Sequence, residues 1–155
     1  MTYTDKELDA IESIRQLIAY YGQCRDTRNL DAFISCLVDD ATYIYIQDDE
    51  SHAIHSKEAI RAFMAEVPVW KERRWVGTHI HGEPVIKLSG DRATAKTDWV
   101  YVAVVDGRHE IQAVGRYLGE FARTPQGWKY QVDSVEKLDP SPADASEVGR
   151  HPPAQ

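Results

Sequence analysis

The sequence predicts an α+β fold, with N-terminal helices and a strongly curved antiparallel sheet. Two observations support this prediction. Apolar residues recur at helical spacing through the first half of the chain, and β-branched and aromatic runs separated by turn signals fill the second half. Helices followed by a long meander of strands are typical of the α+β class. Long strands in one small domain must curl, so helices packed in the concavity would leave a cavity closed at one end.

The first helix is predicted to begin at a capping box. Thr4 and Glu7 have the Thr-x-x-Glu spacing in which each side chain satisfies a backbone N–H of the other residue. The apolar residues that follow predict one buried face, formed by Leu8, Ile11, Ile14, Ile18 and Tyr21. At about 100° per residue, Asp26 returns to the flank of this face. Arg25 would fall near its middle unless the helix ends first.

Capping residues and apolar runs predict the remaining elements. Asn29 can cap a second helix, in which Leu37 and Val38 belong to the apolar face and Asp39-Asp40 ends the helix. Ser56 can cap a third helix, followed by Pro68. Strands are predicted over 42–47, 53–55, 75–81, 85–88, 92–105, 109–123 and 128–138.

Turn residues and composition set the limits of the sheet and of the domain. Asp106-Gly107 is the pair that a type I′ hairpin turn prefers. Pro84 interrupts a predicted strand, which indicates an edge or a bulge. From Asp139 onward the chain is rich in Pro, Ala, Ser and charge. We therefore expect a single domain over 1–138 and a flexible C-terminal tail over 139–155.

The composition is that of an ordinary globular protein with an acidic surface. Of the 155 residues, 43% are hydrophobic and 28% are charged, and the net charge is -7. This charge argues against nucleic acid or an anionic membrane as a partner, because both reward basic patches. The chain has two cysteines, no signal-peptide pattern at its N-terminus and no apolar run of about 20 residues. We expect a cytoplasmic protein without a membrane segment.

Asp26 and His79 are the main candidates for chemistry. Asp26 closes an amphipathic helix and His79 lies in an apolar strand. A carboxylate that orients an imidazole is a common general base near neutral pH. Alternatively, Asp26 caps the second helix and His79 is a hydrogen-bonded core residue. The two-residue period of a strand puts His81 on the same face as His79.

Several other side chains could contribute to a site. A pair of histidines could instead share a metal ion with His109 or Asp98. Asp98 is either a second pocket carboxylate or a surface residue, and Arg116 either reaches a substrate oxygen or pairs with Glu120. Aromatic residues alternate along the strands and supply core residues, cavity walls and hydroxyl donors: Tyr43, Tyr45, Trp99, Tyr101 and Tyr117.

The sequence lacks the nucleophile elbow, phosphate loop, dinucleotide fingerprint and zinc-binding His-Glu-x-x-His. Acid–base chemistry without a metal or a cofactor is therefore the simplest enzymatic interpretation.

Three segments carry a resemblance to a known family. The first is IESIRQLIAYYGQCRDTRNLDAFISCLVDDA over 11–41, with an aspartate at the end of one apolar helix and Asp-Asp-Ala after the next. The others run from Thr78-His79 to Ala95 and from Gly115-Arg116-Tyr117 to Lys129. Over roughly 5–138 the chain resembles SnoaL-like proteins of the NTF2-like superfamily. The resemblance implies a cone-shaped α+β barrel.

The resemblance also implies roles for individual residues. It is closest to scytalone dehydratase-like, bile-acid dehydratase-like and dehydrochlorinase-like members, in which a strand histidine removes a proton and a helix-end aspartate orients it. His79 and Asp26 match those positions, and Tyr21 matches a pocket tyrosine. The chain departs from the scytalone type at Arg25, where that type has tyrosine, and near Gln112 or Val114, where it has a second histidine.

Together these points predict a cofactor-independent lyase or isomerase with a small, apolar, cyclic substrate. His79, Asp26 and Tyr21 would be catalytic, and the substrate-binding residues would be Tyr43, Tyr45, His81, Asp98, Trp99 and Arg116. The alternative is a binding or accessory module that uses the same pocket without turnover. The resemblance further implies a homo-oligomer, with a trimer favoured over a dimer.

Overall fold

The computed structural model describes residues 2–47, 50–67, 70 and 77–137. The helices are α1 (Asp5–Asp26), α2 (Leu30–Ser35) and α3 (Lys57–Glu66). The strands are β1 (Leu37–Gln47), β2 (Glu50–His55), β3 (Gly77–His81), β4 (Val85–Ser89), β5 (Arg92–Val105), β6 (Arg108–Thr124) and β7 (Gly127–Lys137).

The strands form one curved sheet in the order β2-β1-β7-β6-β5-β3, and β4 also pairs with β5. Neighbouring strands are antiparallel except for β1 and β7, which run parallel, so the sheet is mixed rather than purely antiparallel. Irregular register within the β5–β6 and β6–β7 pairs helps these long strands to bend. The predicted α+β class is confirmed.

Helix α1 lies against the sheet and contacts β3, β4 and β7. The capping box is present, because the Thr4 hydroxyl accepts the Glu7 N–H and the Glu7 carboxylate accepts the Thr4 N–H. Ile14 is fully buried, and Ala10, Ile18 and Tyr21 are also in the core. The predicted face is wrong at its first residue: the exposed fraction of Leu8 is 51%.

The second helix is shorter than its apolar pattern predicts. Helix α2 is capped by Asn29, as expected, but it ends at Ser35, and Leu37 and Val38 belong to strand β1. Leu37 pairs with Tyr130 of β7, and the Tyr130 N–H donates to the Cys36 carbonyl. Pairing with β7 therefore outweighs the local helical pattern, and 39–40 lie within the strand.

The predicted turns and caps agree with the structure. Asp106 and Gly107 have φ values of 50° and 76°, and the type I′ turn requires positive φ at both positions. Pro84 lies in the break between β3 and β4, and both of these strands pair with β5. Ser56 caps α3 by accepting the Ala59 N–H.

Some expectations concern parts of the molecule that the structure does not test. The tail over 139–155 and the first residues of the strand predicted over 75–81 lie outside the described residues. Ile80 and Ile111 are exposed by 57% and 67%, and the expected homo-oligomer stays a prediction. None of the helices in the described part of the chain has both the length and the apolar character needed to cross a membrane.

We expect Ile14→Ala to lower the free energy of unfolding by about 2–5 kcal/mol, because it leaves a cavity beneath α1. Leu8→Ala, on the same helix but exposed, should cost less than about 1 kcal/mol. Urea denaturation of both variants measures the difference. Equal losses would contradict the placement of α1 against the sheet.

Candidate active site

Asp26 is the last residue of α1 and is buried, with 6% exposure. The chain turns immediately after it, because Arg28 has a left-handed φ of 59°. The Arg28 guanidinium also donates to the backbone carbonyls of Arg25 and Asp26, which have lost their helical partners. The helix therefore ends with a carboxylate directed towards the sheet.

Strand β3 receives this carboxylate at three points. Asp26 Oδ1 lies 2.6 Å from His79 Nδ1, and Oδ2 accepts the His79 backbone N–H at 2.8 Å. The Thr78 hydroxyl donates to the same Oδ2 at 3.0 Å. The contact predicted between Asp26 and His79 is therefore present. Because both the backbone and the ring of His79 are bound, the imidazole has a fixed position.

The contact assigns the proton on the imidazole. An ionised carboxylate only accepts, so Nδ1 carries a hydrogen, and in the neutral imidazole Nε2 is the nitrogen that keeps its lone pair. Burial raises the pKa of Asp26, but the hydrogen bonds from the His79 ring, the His79 backbone and Thr78 outweigh burial, and the pKa lies below its usual value. The dyad thus holds a charged carboxylate against the imidazole at neutral pH.

Aromatic rings surround the imidazole. The centroid of the His79 ring lies 4.7 Å from that of Tyr101, 5.4 Å from Trp99 and 6.3 Å from Tyr117. Trp99 can lie flat across β6 because the residue there is Gly115, where a Cβ would collide with the indole. These walls give the site an apolar lining on the side of β5 and β6.

His81 lies on the same face as His79, as predicted, with the ring centroids 6.3 Å apart. Its ring packs against Gly22 of α1, where a Cβ would collide with it. Burial, followed by the neighbouring His79 and Arg25, lowers the pKa of His81 to about 4. Its Nε2 is buried and has no hydrogen-bond partner among the described residues. His81 is therefore neutral in the physiological range.

A second polar cluster lies one residue before the dyad on α1. The Arg25 guanidinium donates to Asp133 Oδ2 at 3.0 Å and to the Tyr117 hydroxyl at 2.8 Å. The side chains are 17% and 3% exposed for Arg25 and Asp133. Helix α1 continues past Arg25 rather than ending before it. The buried Asp133 carboxylate on β7 compensates the charge of Arg25 inside the domain.

The aromatic rings of this cluster enclose the guanidinium. Its carbon lies 5.1–6.0 Å from the ring centroids of Tyr117, Tyr21, Phe33 and Tyr43, within the range of cation–π contact. Burial raises the pKa of Asp133, and the charge of Arg25 and the Tyr21 hydroxyl offset part of that rise. The pair is therefore held in a largely water-free environment.

The predicted tyrosines occupy different positions. The Tyr21 hydroxyl donates to Asp133 Oδ2 at 2.7 Å, so its hydrogen is engaged inside the protein. Tyr43 lies beside Arg25, and burial raises its pKa to about 12. Tyr45 stacks between Phe63 of α3 and His52 of β2, with centroid distances of 4.9 and 5.3 Å. Tyr43 thus adjoins the Arg25 cluster, whereas Tyr45 packs between α3 and β2.

Asp98 and Arg116 do not lie on the face of the sheet that carries His79 and Tyr117. Strand alternation puts them on the face opposite Trp99 and Tyr117, where Arg116 Nε donates to Asp98 Oδ1 at 2.6 Å. Their side chains are 64% and 35% exposed and border an outer groove of about 460 Å³. The structure therefore does not bring these two residues together with His79, and Arg116 pairs with Asp98 rather than with Glu120.

The positions of Asp98 and His109 bear on the alternative that His79 and His81 share a metal ion with one of them. Asp98 lies across the sheet from the two histidines, and His109 is an exposed residue near the Asp106-Gly107 turn. Within the described residues, no group of three or more histidine, cysteine or carboxylate side chains is arranged to hold a metal ion.

Sequence reasoning missed Asp133 entirely and gave Arg25 no place in the site. One pattern pointed to them: a charged residue near the middle of a buried helical face needs a buried partner of opposite charge. Period two along 127–137 could not select Asp133 as that partner, because several polar residues alternate there.

We expect Arg25→Ala to lower the free energy of unfolding by about 3–5 kcal/mol, because Asp133 is left charged and buried without a cation. Adding Asp133→Asn should recover part of the loss. Arg61→Ala breaks an exposed pair with Asp31 and should cost less than about 1 kcal/mol. Chemical denaturation compares the three, and an equally small loss for Arg25→Ala would contradict a buried pair.

His81 predicts a pH dependence of stability. Its pKa is about 4 in the folded protein and about 6.5 in the unfolded chain, so between these values the unfolded state binds more protons. Stability is therefore lost as pH falls from about 6.5 to about 4, by at most about 1.4 kcal/mol per pH unit from this group. We expect His81→Gln to flatten this slope in denaturation experiments, whereas His109→Gln should not. An unchanged slope would contradict the burial of His81.

Comparisons with known proteins give the chain a family. No curated protein matches it. Among solved structures, an NTF2-like protein with a cystatin-like fold from Novosphingobium aromaticivorans is 26% identical, with a TM-score of 0.77 over 94% of this chain and 92% of that chain. A variant of Rv3472, a protein of unknown function from Mycobacterium tuberculosis, is 19% identical, with a TM-score of 0.73 over 94% and 81%.

A scytalone dehydratase-like protein from Novosphingobium aromaticivorans is 13% identical, with a TM-score of 0.71 over 88% of this chain and 89% of that one. At 19% and 13% identity, the similarities to the Rv3472 variant and to the scytalone dehydratase-like protein show the fold alone. They agree with the predicted NTF2-like architecture of helices on a curved sheet. The model of the SnoaL-like domain matches residues 6–132. The chain therefore belongs to the SnoaL-like domain family.

Proposed function

We propose that this protein is a cofactor-independent lyase or isomerase that acts on a small, largely apolar cyclic molecule by general acid–base catalysis. The observation that carries the proposal is the 2.6 Å contact between Asp26 Oδ1 and His79 Nδ1. It fixes the ring and leaves Nε2 as a base. The scytalone dehydratase-like protein among the structural neighbours is consistent with this class of reaction.

His79 is the base in the proposed reaction. Nε2 removes a proton from a carbon of the substrate, and the imidazolium that forms is stabilised by the Asp26 carboxylate. In an isomerisation the imidazolium returns the proton to a different carbon. In a dehydration it gives the proton to the departing hydroxyl, which leaves as water. Both reactions need only the one proton that His79 carries.

The surroundings of the dyad support an apolar, uncharged substrate. Trp99, Tyr101 and Tyr117 present ring faces and edges beside the imidazole. The charge of Arg25, the cation beside Tyr117, is already balanced by Asp133. Burial of a flat, neutral ring against these walls is favourable, whereas a carboxylate would lose hydration without gaining a counter-ion.

Two predicted site tyrosines, Tyr21 from the resemblance and Tyr43 from the alternation of aromatic residues, have different parts in this proposal. Tyr43 retains the role of a hydroxyl donor at the wall of the cavity. Tyr21 becomes a positioning residue, because its hydroxyl hydrogen is already bound by Asp133.

We expect the protein to catalyse exchange of the α-protons of cyclohexenone or α-tetralone in D₂O, followed by NMR. His79→Ala and Asp26→Asn should each slow this exchange by about 10²- to 10⁴-fold. Asparagine keeps an acceptor for Thr78 and the backbone, but its NH₂ group would donate to Nδ1 and force the proton onto Nε2. His109→Ala is the matched control and should keep the full rate.

Two outcomes would overturn the proposal. The first is exchange at the wild-type rate in a folded His79→Ala variant. The second is tight binding of both ketones by the wild-type protein without exchange of either, which would favour the binding module over the enzyme.

A further inference from the structure

We propose that the Tyr117 hydroxyl, held by Arg25, donates a hydrogen bond to the substrate oxygen that gains negative charge. The substrate class is accordingly a neutral, planar ring with a carbonyl conjugated or adjacent to the acidic carbon. The inference rests on the proposed function and extends it, because it identifies the partner of the base and the group on which that partner acts.

The hydrogen bond from Arg25 determines what Tyr117 can do. Arg25 Nη1 donates to the Tyr117 oxygen at 2.8 Å, so that oxygen is an acceptor inside the protein. The hydrogen of the same hydroxyl has no acceptor among the described residues. Tyr21 differs in this respect, because its hydrogen is bound by Asp133. Tyr117 therefore has an available donor and a fixed oxygen.

Tyr117 lies between the two polar clusters. Its ring stacks on Trp99 with centroids 5.3 Å apart and meets the His81 ring edge-on at 5.7 Å. The centroid of its ring is 6.3 Å from that of His79. These rings belong to one wall, and in the proposed complex a single small molecule lies against it and contacts the base and the hydroxyl together.

Arg25 acts through Tyr117 rather than directly. One of its amino groups is bound by Asp133 and the other by Tyr117, and aromatic rings surround the guanidinium. Donation by a cation polarises the Tyr117 O–H bond and strengthens the hydrogen bond that the hydroxyl can make. Burial raises the pKa of Tyr117, and Arg25 offsets part of the rise, so the hydroxyl remains protonated and donates.

The chemical step follows from this arrangement. The C–H bond beside the carbonyl breaks and its proton moves to His79 Nε2. The C–H electron pair forms a C=C bond, and the carbonyl π pair moves to the oxygen, which becomes an enolate. Tyr117 stabilises this oxygen by a hydrogen bond and keeps its own proton. The formal charges on Arg25 and Asp133 cancel before the reaction, so the site favours a substrate that is neutral until this step.

The test uses para-nitrophenolate as a mimic of the enolate. Nitrobenzene is the comparison ligand, because it has the same nitro-substituted ring but lacks the phenolate oxygen. Affinities are measured by calorimetry at a pH where the free phenol is ionised. The wild-type protein should bind the phenolate more tightly than nitrobenzene. Tyr117→Phe should weaken phenolate binding by about 10- to 100-fold and leave nitrobenzene within about twofold. Tyr20→Phe, an exposed tyrosine on α1, is the matched control and should change neither affinity.

Arg25→Lys tests the positioning role. Lysine keeps a cation for Asp133 but lacks the planar fork that reaches two partners. We expect the preference for phenolate over nitrobenzene to fall while nitrobenzene binding is kept, a change that a loss of packing alone would not produce. Tyr43→Phe, at the other donor beside Arg25, should have the smaller effect on this preference.

Several results would overturn the inference: no preference for phenolate in the wild-type protein, an unchanged preference in Tyr117→Phe, or a larger loss in Tyr43→Phe. These failures differ from a failure of the proposed base. If the wild-type protein exchanges ketone protons but Tyr117→Phe keeps the phenolate preference, the role of His79 as the base is supported and the role of Tyr117 is rejected. If the preference for phenolate over nitrobenzene depends on Tyr117 but no exchange of ketone protons occurs, the role of Tyr117 is supported and the role of His79 as the base is rejected.

Discussion

The contact between the end of α1 and strand β3 is the constraint on which the site depends. Asp26 binds the hydroxyl of Thr78 and both the backbone and the ring of His79, so one carboxylate aligns the helix with the strand and orients the imidazole. Removal of the carboxylate would therefore loosen the docking of α1 as well as the base. This coupling places the imidazole on regular secondary structure, which holds a reacting group more precisely than a loop does.

The end of α1 makes a second set of buried contacts, through the residue that precedes Asp26. Arg25 and Asp26 are adjacent, so their side chains leave α1 about 100° apart and reach different strands. Asp26 meets β3, whereas Arg25 meets Asp133 on β7 and Tyr117 on β6. The curvature of the sheet brings these strands around the same helix end.

Local patterns predicted much of this arrangement and failed where distant strands decide the outcome. Capping residues and the Asp106-Gly107 turn were predictable because their hydrogen bonds are local. The Asp26–His79 contact was predictable through a family resemblance, since no spacing joins residues so far apart. Leu37 looked helical by period and became a strand because Tyr130 pairs with it. The face of Asp98 depended on which side of a strand α1 covers, and a two-residue period does not specify that side.

The two buried carboxylates, Asp26 and Asp133, differ in their surroundings and therefore in what they can do. Asp26 is bound by an imidazole ring, a backbone N–H and a hydroxyl, and its pKa is lowered. Asp133 is more deeply buried, and its pKa is raised despite the guanidinium beside it. The partner of Asp26 is an imidazole, which can gain and lose a proton, so in the proposed reaction that pair holds the proton removed from the substrate. The partner of Asp133 keeps its charge permanently, so that pair can only orient and polarise. In the proposed reaction, acid–base chemistry therefore belongs to the side of β3, and stabilisation of charge belongs to the side of β6 and β7.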